Sequence, residues 1–418
     1  MRGAIAAVVG VLMFIGGAIA KPAAHATERE GYSWYECQLM IDDERGIPFY
    51  MTVSDAQGES DAYVHNADEE IRVDAMREGE RITLSFPHYD SELELRPGEA
   101  ARRGQPAPYE GTWTKRRADG PVEMRLKARR IDNAPGFYSE EAAGPPHTVR
   151  FEMDFEKSGA ALGDFQIHQT PGVKGASGTI LTPTGDYRYL GGAIYRVGMK
   201  LGLSVFDGAH AFVFMADIDP DTGDLTNGHF YSGNHWHETF TARRLAEGEE
   251  YELPDPFDEV SLKPGVTRLG IERLDEAPYA GKPTIVQVFG TWCPNCHDEA
   301  PVLVDLYEKY SDEGLQILSL AYEYTDDPER SRHQIDRFKE RHGATWEFVA
   351  AGVNDKTKTA ATLPALSAIK SYPTTIWINP DGTVRAIHSG FSGPATGKAH
   401  TETLAEFETL TREIVGAK

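Results

Sequence analysis

Two cysteines three residues apart, Cys293 and Cys296, stand in the stretch Thr284-Ile-Val-Gln-Val-Phe-Gly-Thr-Trp-Cys-Pro-Asn-Cys-His-Asp-Glu-Ala-Pro301. Thiols at that spacing can make and break disulfides, and the attacking species in such exchange is the thiolate. A cysteine just ahead of a helix meets unpaired backbone N–H groups and the positive end of the helix dipole, both of which favour the ionised sulfur. That assigns Cys293 as the nucleophile. Cys296 lies one helical turn further along the same face, within reach to displace a mixed disulfide formed at Cys293, and is the resolving thiol.

The elements that must hold these sulfurs are legible on either side. The β-branched run from Thr284 reads as a buried strand, Gly290 and Thr291 as its turn, and Leu303, Leu306, Tyr307 and Tyr310 recur at helical spacing. Strand, turn, Cys-x-x-Cys and helix follow in that order.

Those residues resemble the thioredoxin superfamily, and within it the periplasmic TlpA and ResA kind of thiol–disulfide reductase. Three matches carry the resemblance: Trp292-Cys293-Pro294-Asn295-Cys296, Glu299-Ala300-Pro301, and Tyr372-Pro373-Thr374-Thr375, which is similar to the family's cis-proline loop. It covers about residues 264 to 417 and implies an α/β thioredoxin-like fold there. It also implies that Trp292, Tyr372, Pro373 and Thr374 meet the substrate, that Pro294 and Asn295 tune the redox pair, and that the Cys293–Cys296 disulfide is the redox group. The chemistry asks for no metal and no organic cofactor. A cis bond before Pro373 costs only about 0.5 to 1 kcal/mol and takes the preceding backbone out of regular pairing, leaving Tyr372 to bond an extended peptide. The sequence departs from cytoplasmic thioredoxins at the strand position six residues before the first cysteine, where Gln287 replaces a buried aspartate. The proton-handling carboxylate must then come from elsewhere, and Glu299 is the candidate, its competing role being that of a first-turn acid complementing the dipole.

The chain has 418 residues, enough for two or three domains, with 40% hydrophobic and 26% charged residues, as in ordinary globular proteins. Its net charge of −23 argues against nucleic-acid or anionic-membrane partners, which ask for clustered Lys and Arg. Arg2 precedes an uncharged Ala- and Gly-rich run from Gly3 to Ala20, and small residues follow to Ala26. Residues 1–26 are expected to be a secretory signal peptide and the protein periplasmic or secreted, with membrane association only if that segment stays uncleaved as an anchor. Export leaves Cys37 as an odd cysteine, read as a small hydrophobe packed in a β-core.

Between Gly31 and Arg244, short alternating runs separated by Gly and Pro turns predict a β-rich sandwich or barrel. It is expected as two similar units, 31–117 and 148–244, joined through the stretch 118–150. Gly79-Glu-Arg-Ile-Thr-Leu-Ser85 parallels Gly198-Met-Lys-Leu-Gly-Leu-Ser204, and Thr112 to Arg117 parallels Thr239 to Arg244. The Gly-to-Thr intervals are 33 and 41 residues, a difference that one longer hairpin around Asp219 to Asp224 could absorb. His229, His235 and His237 could converge but lack a nearby acid or cysteine to complete a metal set, and the aromatic, His-rich surface around them could instead receive a client. Residues 245–263 read as an acidic hinge.

In the domain 264–418 the pattern predicts strands at 315–321 and 346–350, helices at 329–342 and near the C-terminus, and a hairpin around Asn379-Pro-Asp-Gly382. Thr359 to Lys370 is expected to be helical, with Pro364 near its start. The sequence thus points to an exported protein-disulfide reductase working through Cys-Pro-Asn-Cys, served by an upstream membrane thiol relay. A rival reading makes it an envelope binding protein, with the β-rich part holding a ligand or partner. A peroxidase of the peroxiredoxin kind fits poorly, because a Pro-x-x-x-Thr-x-x-Cys pattern meets Val286 and Gly290 here.

Overall fold

The computed structural model describes residues 29–99, 108–117, 120–132, 146–169, 174–195, 199–254 and 260–416. The expected signal peptide and anchor lie outside the described residues. Alternation dictates the first architecture: in Arg81–Phe86, Ile82, Leu84 and Phe86 are buried while the residues between them face outward. Eight such strands succeed one another as antiparallel neighbours: β1 (Tyr32–Met40), β2 (Gly46–Ser54), β3 (Gly58–Asn66), β4 (Glu69–Glu78), β5 (Arg81–Phe86), β6 (Ser91–Pro97), β7 (Tyr109–Lys115) and β8 (Val122–Ile131). β8 returns to pair with β1, closing a barrel without edges. The first unit therefore runs past residue 117, where the sequence reading ended it, because closure needs the eighth strand.

A second barrel repeats this path. It is built from β9 (His147–Phe155), β10 (Gly159–Gln169), β11 (Lys174–Thr182), the two-residue β12 (Gly185–Asp186), β13 (Leu190–Tyr195), β14 (Lys200–Phe206), β15 (Ala211–Ile218), β16 (Leu225–Ser232) and β17 (Trp236–Arg244). β17 pairs back onto β9 and β10 onto β11, while β12 hangs from β11 as a short hairpin. The first sequence parallel falls on the fifth strand of each barrel, β5 and β14. The second falls on the seventh strand of one and the eighth of the other, so the extra eight residues reflect a whole additional strand rather than a longer hairpin. The stretch 118–150 is likewise not a plain connection, since β8 and the start of β9 lie in it.

The barrels meet around Phe206, which packs against Phe49, Phe86 and Trp113 of the first barrel at 4.5, 5.6 and 5.5 Å between ring centroids. Asn66 clamps the same residue, donating to the Phe206 carbonyl at 2.9 Å and accepting from its N–H at 3.0 Å. Gly208 follows with φ +85°, and a side chain there would meet the Phe86 ring at 2.1 Å. The second barrel thus plugs the first with a buried aromatic.

The C-terminal domain holds a five-stranded sheet ordered β20 (Glu347–Val353), β19 (Gln316–Glu323), β18 (Thr284–Phe289), β21 (Thr374–Ile378) and β22 (Val384–Ser389), parallel among the first three and antiparallel thereafter. Helix α1 (Pro294–Tyr310) and helix α4 (Lys398–Val415) place Leu303, Leu306, Phe407 and Ile414 in one core beside Trp377, and α2 (Pro328–His342) places Ile335 and Phe338 in the other. Asp327 caps the start of α2, accepting from the N–H groups of Glu329 and Arg330, and Gly343 ends it in the left-handed region. The helix expected over 359–370 is instead α3, Lys356–Thr362, capped by Asp355. It stops before Leu363 because the residue preceding a proline is pushed out of the helical region. The acidic linker is no free hinge where it is described: Leu245 N–H donates to Arg150 O at 2.9 Å, and Ser261 and Ser367 bond each other's groups at 2.8 and 3.0 Å. Among the described residues no helix is long and apolar enough to cross a membrane.

Candidate active site

The strand-to-helix turn sets Cys293 at the N-cap of α1, with Pro294 at the first helical position where a missing N–H is harmless. Its sulfur accepts from the Cys296 N–H at 3.4 Å and can donate to the Tyr372 carbonyl at 3.4 Å. The Tyr372–Pro373 bond is cis. Both cysteines are free thiols, Cys293 only 6% exposed and Cys296 wholly buried. Burial, with the Cys293 sulfur beside it, pushes the Cys296 thiol well above the usual range. The inner thiol therefore needs a base to ionise.

Glu299 lies three residues on from Cys296 along α1. It is fully buried, accepts from Thr375 Oγ1 at 2.5 Å and from Gln287 Nε2 at 2.6 Å, and burial raises its pKa to about 7 against the pull of those two bonds. Its charge is felt at Cys296. Gln287 is held in turn by Ser319, which receives a bond from Trp346 Nε1. The strand position that lacks an aspartate thus orients the glutamate instead. Glu323, also buried, accepts from Thr291 N–H at 3.0 Å and Thr291 Oγ1 at 2.7 Å and fixes the turn before Cys293.

Trp292 donates to Tyr322 O at 2.8 Å and stacks on Tyr324 at 5.1 Å, with the Tyr372 ring edge-on at 5.5 Å. Asn295 reaches Phe391 O at 3.4 Å. Trp292, Pro294, Asn295 and Tyr372 border one cavity with Cys293. Thr374 does not: its side chain is buried and donates to Ser371 O at 2.9 Å. His229 and His237 do approach, at 3.0 Å, on a β-hairpin of the second barrel. Among the described residues no group of three His, Cys, Asp or Glu side chains gathers as a metal site.

Sequence reasoning missed what the barrels add. Lys115 of β7 is 4% exposed, donates to Ala209 O at 2.6 Å and faces the Tyr324 ring at 5.7 Å. Burial lowers its pKa to about 8, while Asp207 and the Cys293 sulfur favour its charged form. Arg188 joins all three units, bonding Asp298 on α1 at 2.6 Å and Glu69 of the first barrel at 2.7 Å, with Asp207 at 3.5 Å. From the turn between β5 and β6, His88 and Tyr89 pack on His297 of α1 at 5.7 and 5.4 Å, and Arg330 of α2 pairs with Asp90. His297 Nε2 faces Thr291 O at 2.9 Å and its Nδ1 faces His342 Nε2 at 2.7 Å; burial holds it neutral, well below its usual pKa. No local spacing signals such residues, because the two sides of each contact come from different units.

A family model described as the AhpC/TSA family matches residues 255–387. The thiol-disulfide oxidoreductase ResA of Halalkalibacterium halodurans is 29% identical over 120 residues, which span 28% of this chain and 60% of that protein. The thioredoxin-like protein YneN of Bacillus subtilis is 25% identical over 162 residues, 38% of this chain and 82% of YneN. Among solved structures, a thioredoxin-family thiol:disulfide interchange protein from Chlorobium tepidum TLS covers 32% of this chain and 81% of its own, at 19% identity and a TM-score of 0.25.

Proposed function

Given a C-terminal thioredoxin-like domain of the AhpC/TSA family, we propose that this chain is an exported thiol–disulfide oxidoreductase that reduces disulfides through Cys293 and Cys296. The observation that carries it is the Cys293 sulfur at the N-cap of α1, 3.4 Å from the Cys296 N–H and 3.4 Å from the carbonyl before the cis proline. Cys293 thiolate attacks one sulfur of the disulfide and the other leaves as a thiolate. Cys296 then gives its proton to the Glu299 carboxylate and attacks Cys293, releasing the second thiolate and leaving a Cys293–Cys296 disulfide. Return to the dithiol needs a dithiol reductant, for which a membrane thiol relay is the proposed partner. Trapping tests this: Cys296→Ser should accumulate a mixed disulfide at position 293, and Cys293→Ser none. Adducts at Cys296, or peroxide consumption that survives Cys296→Ser, would remove the proposal.

A second role, ligand binding by the barrels, is favoured by a separate cavity of about 560 Å³ between them, bordered by Tyr50, Asn66, Tyr195, Lys200, His229 and Tyr231. Tyr195→Ala, at an exposed residue on the cavity's border, should leave thiol exchange intact and change only what co-purifies with the barrels.

A further inference from the structure

Two units wall the space in front of Cys293. The hairpin carrying β12 caps the segment that follows the cis-proline loop: Gly390 has φ +96°, and a side chain there would fall 2.1 Å from Thr184 O, while one at Gly185 would meet Asn295 Nδ2 at 2.4 Å. Asp186 accepts from Gly393 N–H at 2.7 Å, and Arg188 bonds Asp298 on α1. The cavity left beside Cys293 is about 310 Å³, bordered by Trp292, Asn295 and Tyr372 of the redox domain and by Arg188, His210 and Phe212 of the second barrel.

Thiol exchange leaves one proton unassigned in that space. Glu299 serves the buried Cys296, but the first substrate sulfur departs as a thiolate on the Cys293 side, and an ordinary alkyl thiol, with a pKa of about 8.5, keeps a proton at neutral pH. Several groups on the cavity's border are committed elsewhere: the Tyr372 hydroxyl pairs with Thr359, Lys356 Nζ donates to Lys370 O, and Arg188 is matched by Asp298 and Glu69.

His210 differs from these in being aimed by a buried acid. In the turn between β14 and β15, Asp207 Oδ1 accepts from the N–H groups of Ala209 at 2.8 Å and His210 at 2.5 Å, and Lys115 fixes the same turn through Ala209 O. Asp207 is 1% exposed, and its Oδ2 lies 3.4 Å from His210 Nδ1. Among the described residues neither of those two atoms makes a hydrogen bond elsewhere. Phe212 stacks on the imidazole at 4.6 Å and sets its plane. A carboxylate beside Nδ1 keeps the proton on that nitrogen and leaves Nε2 as the atom that exchanges. Burial favours the neutral ring, able to take a proton; Asp207 favours the imidazolium that results, against Lys115 and Arg188.

We infer that His210 is a catalytic residue supplied by the second barrel, which protonates the first sulfur to leave the substrate disulfide, with Asp207 as its positioning residue. This rests on the thiol–disulfide reading and deepens the same site. The proton that Cys293 loses on ionising is taken up at His210 Nε2. Cys293 sulfur bonds to the nearer substrate sulfur, and the S–S bond breaks with its electron pair on the farther one. That sulfur takes the Nε2 proton and departs as a thiol, leaving Cys293 in the mixed disulfide and His210 neutral again. No outside oxidant or reductant enters this step.

The test uses the reduced full chain carrying Cys296→Ser, which stops at the mixed disulfide. Adduct formation on Cys293 is followed by intact mass at pH 7 with two small uncharged probes. Hydroxyethyl disulfide releases a basic alkyl thiolate that needs a proton; dipyridyl disulfide releases a weakly basic one that does not. Adding His210→Ala should slow the first probe by about tenfold more than the second. His210→Gln, which keeps a polar side chain of similar size, should open the same gap, and Asp207→Asn a smaller one. Imidazole in the buffer should narrow the gap in His210→Ala. An equal loss with both probes, or no loss with either, reduces His210 to a wall of the cavity and leaves the oxidoreductase reading standing. Failure of both probes to label Cys293 before His210 is changed sinks both.

Discussion

Arg188 of the second barrel donates to Asp298 at the start of the redox helix at 2.6 Å and to Glu69 of the first barrel at 2.7 Å. One guanidinium therefore ties three folding units at a point beside the reactive sulfur. Burial works against its charge, and Asp298, Glu69 and Asp207 more than offset that. Arg188→Met leaves those acids without their cation, a change that typically costs about 3 to 5 kcal/mol when the pair is buried. A lower urea midpoint is expected, with the redox domain unfolding in a separate earlier step. A single transition within about 1 kcal/mol of the parent would show that the latch holds nothing together.

Glu299 gives two pH signatures. Its folded pKa of about 7 lies above the ordinary 4.5, so between those values the folded state holds a proton that the unfolded chain has lost. This group's contribution to stability is thus fully present below about pH 4.5 and fades as the pH rises to about 7, by an amount on the order of 3 kcal/mol. Glu299→Gln should remove that slope from urea titrations taken across the window.

The second signature is kinetic. Release of the second thiol from a Cys293 mixed disulfide should quicken as Glu299 ionises, with a midpoint near pH 7, and slow by about 10²-fold in Glu299→Gln. An unchanged profile in the variant would exclude the carboxylate from proton transfer.

Lys115 predicts that the first barrel acts on the chemistry. Its buried ammonium lies behind Tyr324, on which Trp292 stacks, and interacts with the charge at Cys293. Lys115→Met should slow iodoacetamide alkylation of Cys293 at pH 7 by roughly fivefold, the effect of about 1 kcal/mol of charge interaction, and Lys115→Arg should retain most of the rate. Equal rates in all three proteins would reduce Lys115 to a barrel contact through Ala209.

Gly390→Ala addresses the cap. A methyl group cannot sit 2.1 Å from Thr184 O, and the position is left-handed. The β12 hairpin should be displaced, and insulin should react with Cys293 faster than in the parent while hydroxyethyl disulfide changes less. No gain for insulin would mean that the hairpin does not gate access.

The redox domain was legible because its instructions are local. Period-two and helical spacing mark its elements, and the strand, turn and Cys-x-x-Cys order marks its site. Pro364 was read as starting a helix, yet it ends one, since its effect on Leu363 outweighs the apolar spacing beyond it. In the barrels, alternation announced strands but not closure. β8 pairs with β1 across some ninety residues, and no short window records that pairing. Lys115, which feels the charge at Cys293, and Arg188 and His210, which border its cavity, looked like ordinary surface or strand residues until the fold assembled them.

Cys37 sits in the wall of the first barrel, paired across to Phe49 and Ala128 and wholly screened from solvent, with burial pushing its thiol well above the usual range. An alkylating reagent can find this sulfur only when the barrel comes apart. The protein therefore carries its own unfolding clock: once the active-site pair is blocked, the rate at which a third label arrives times the opening of a module some 250 residues away in sequence.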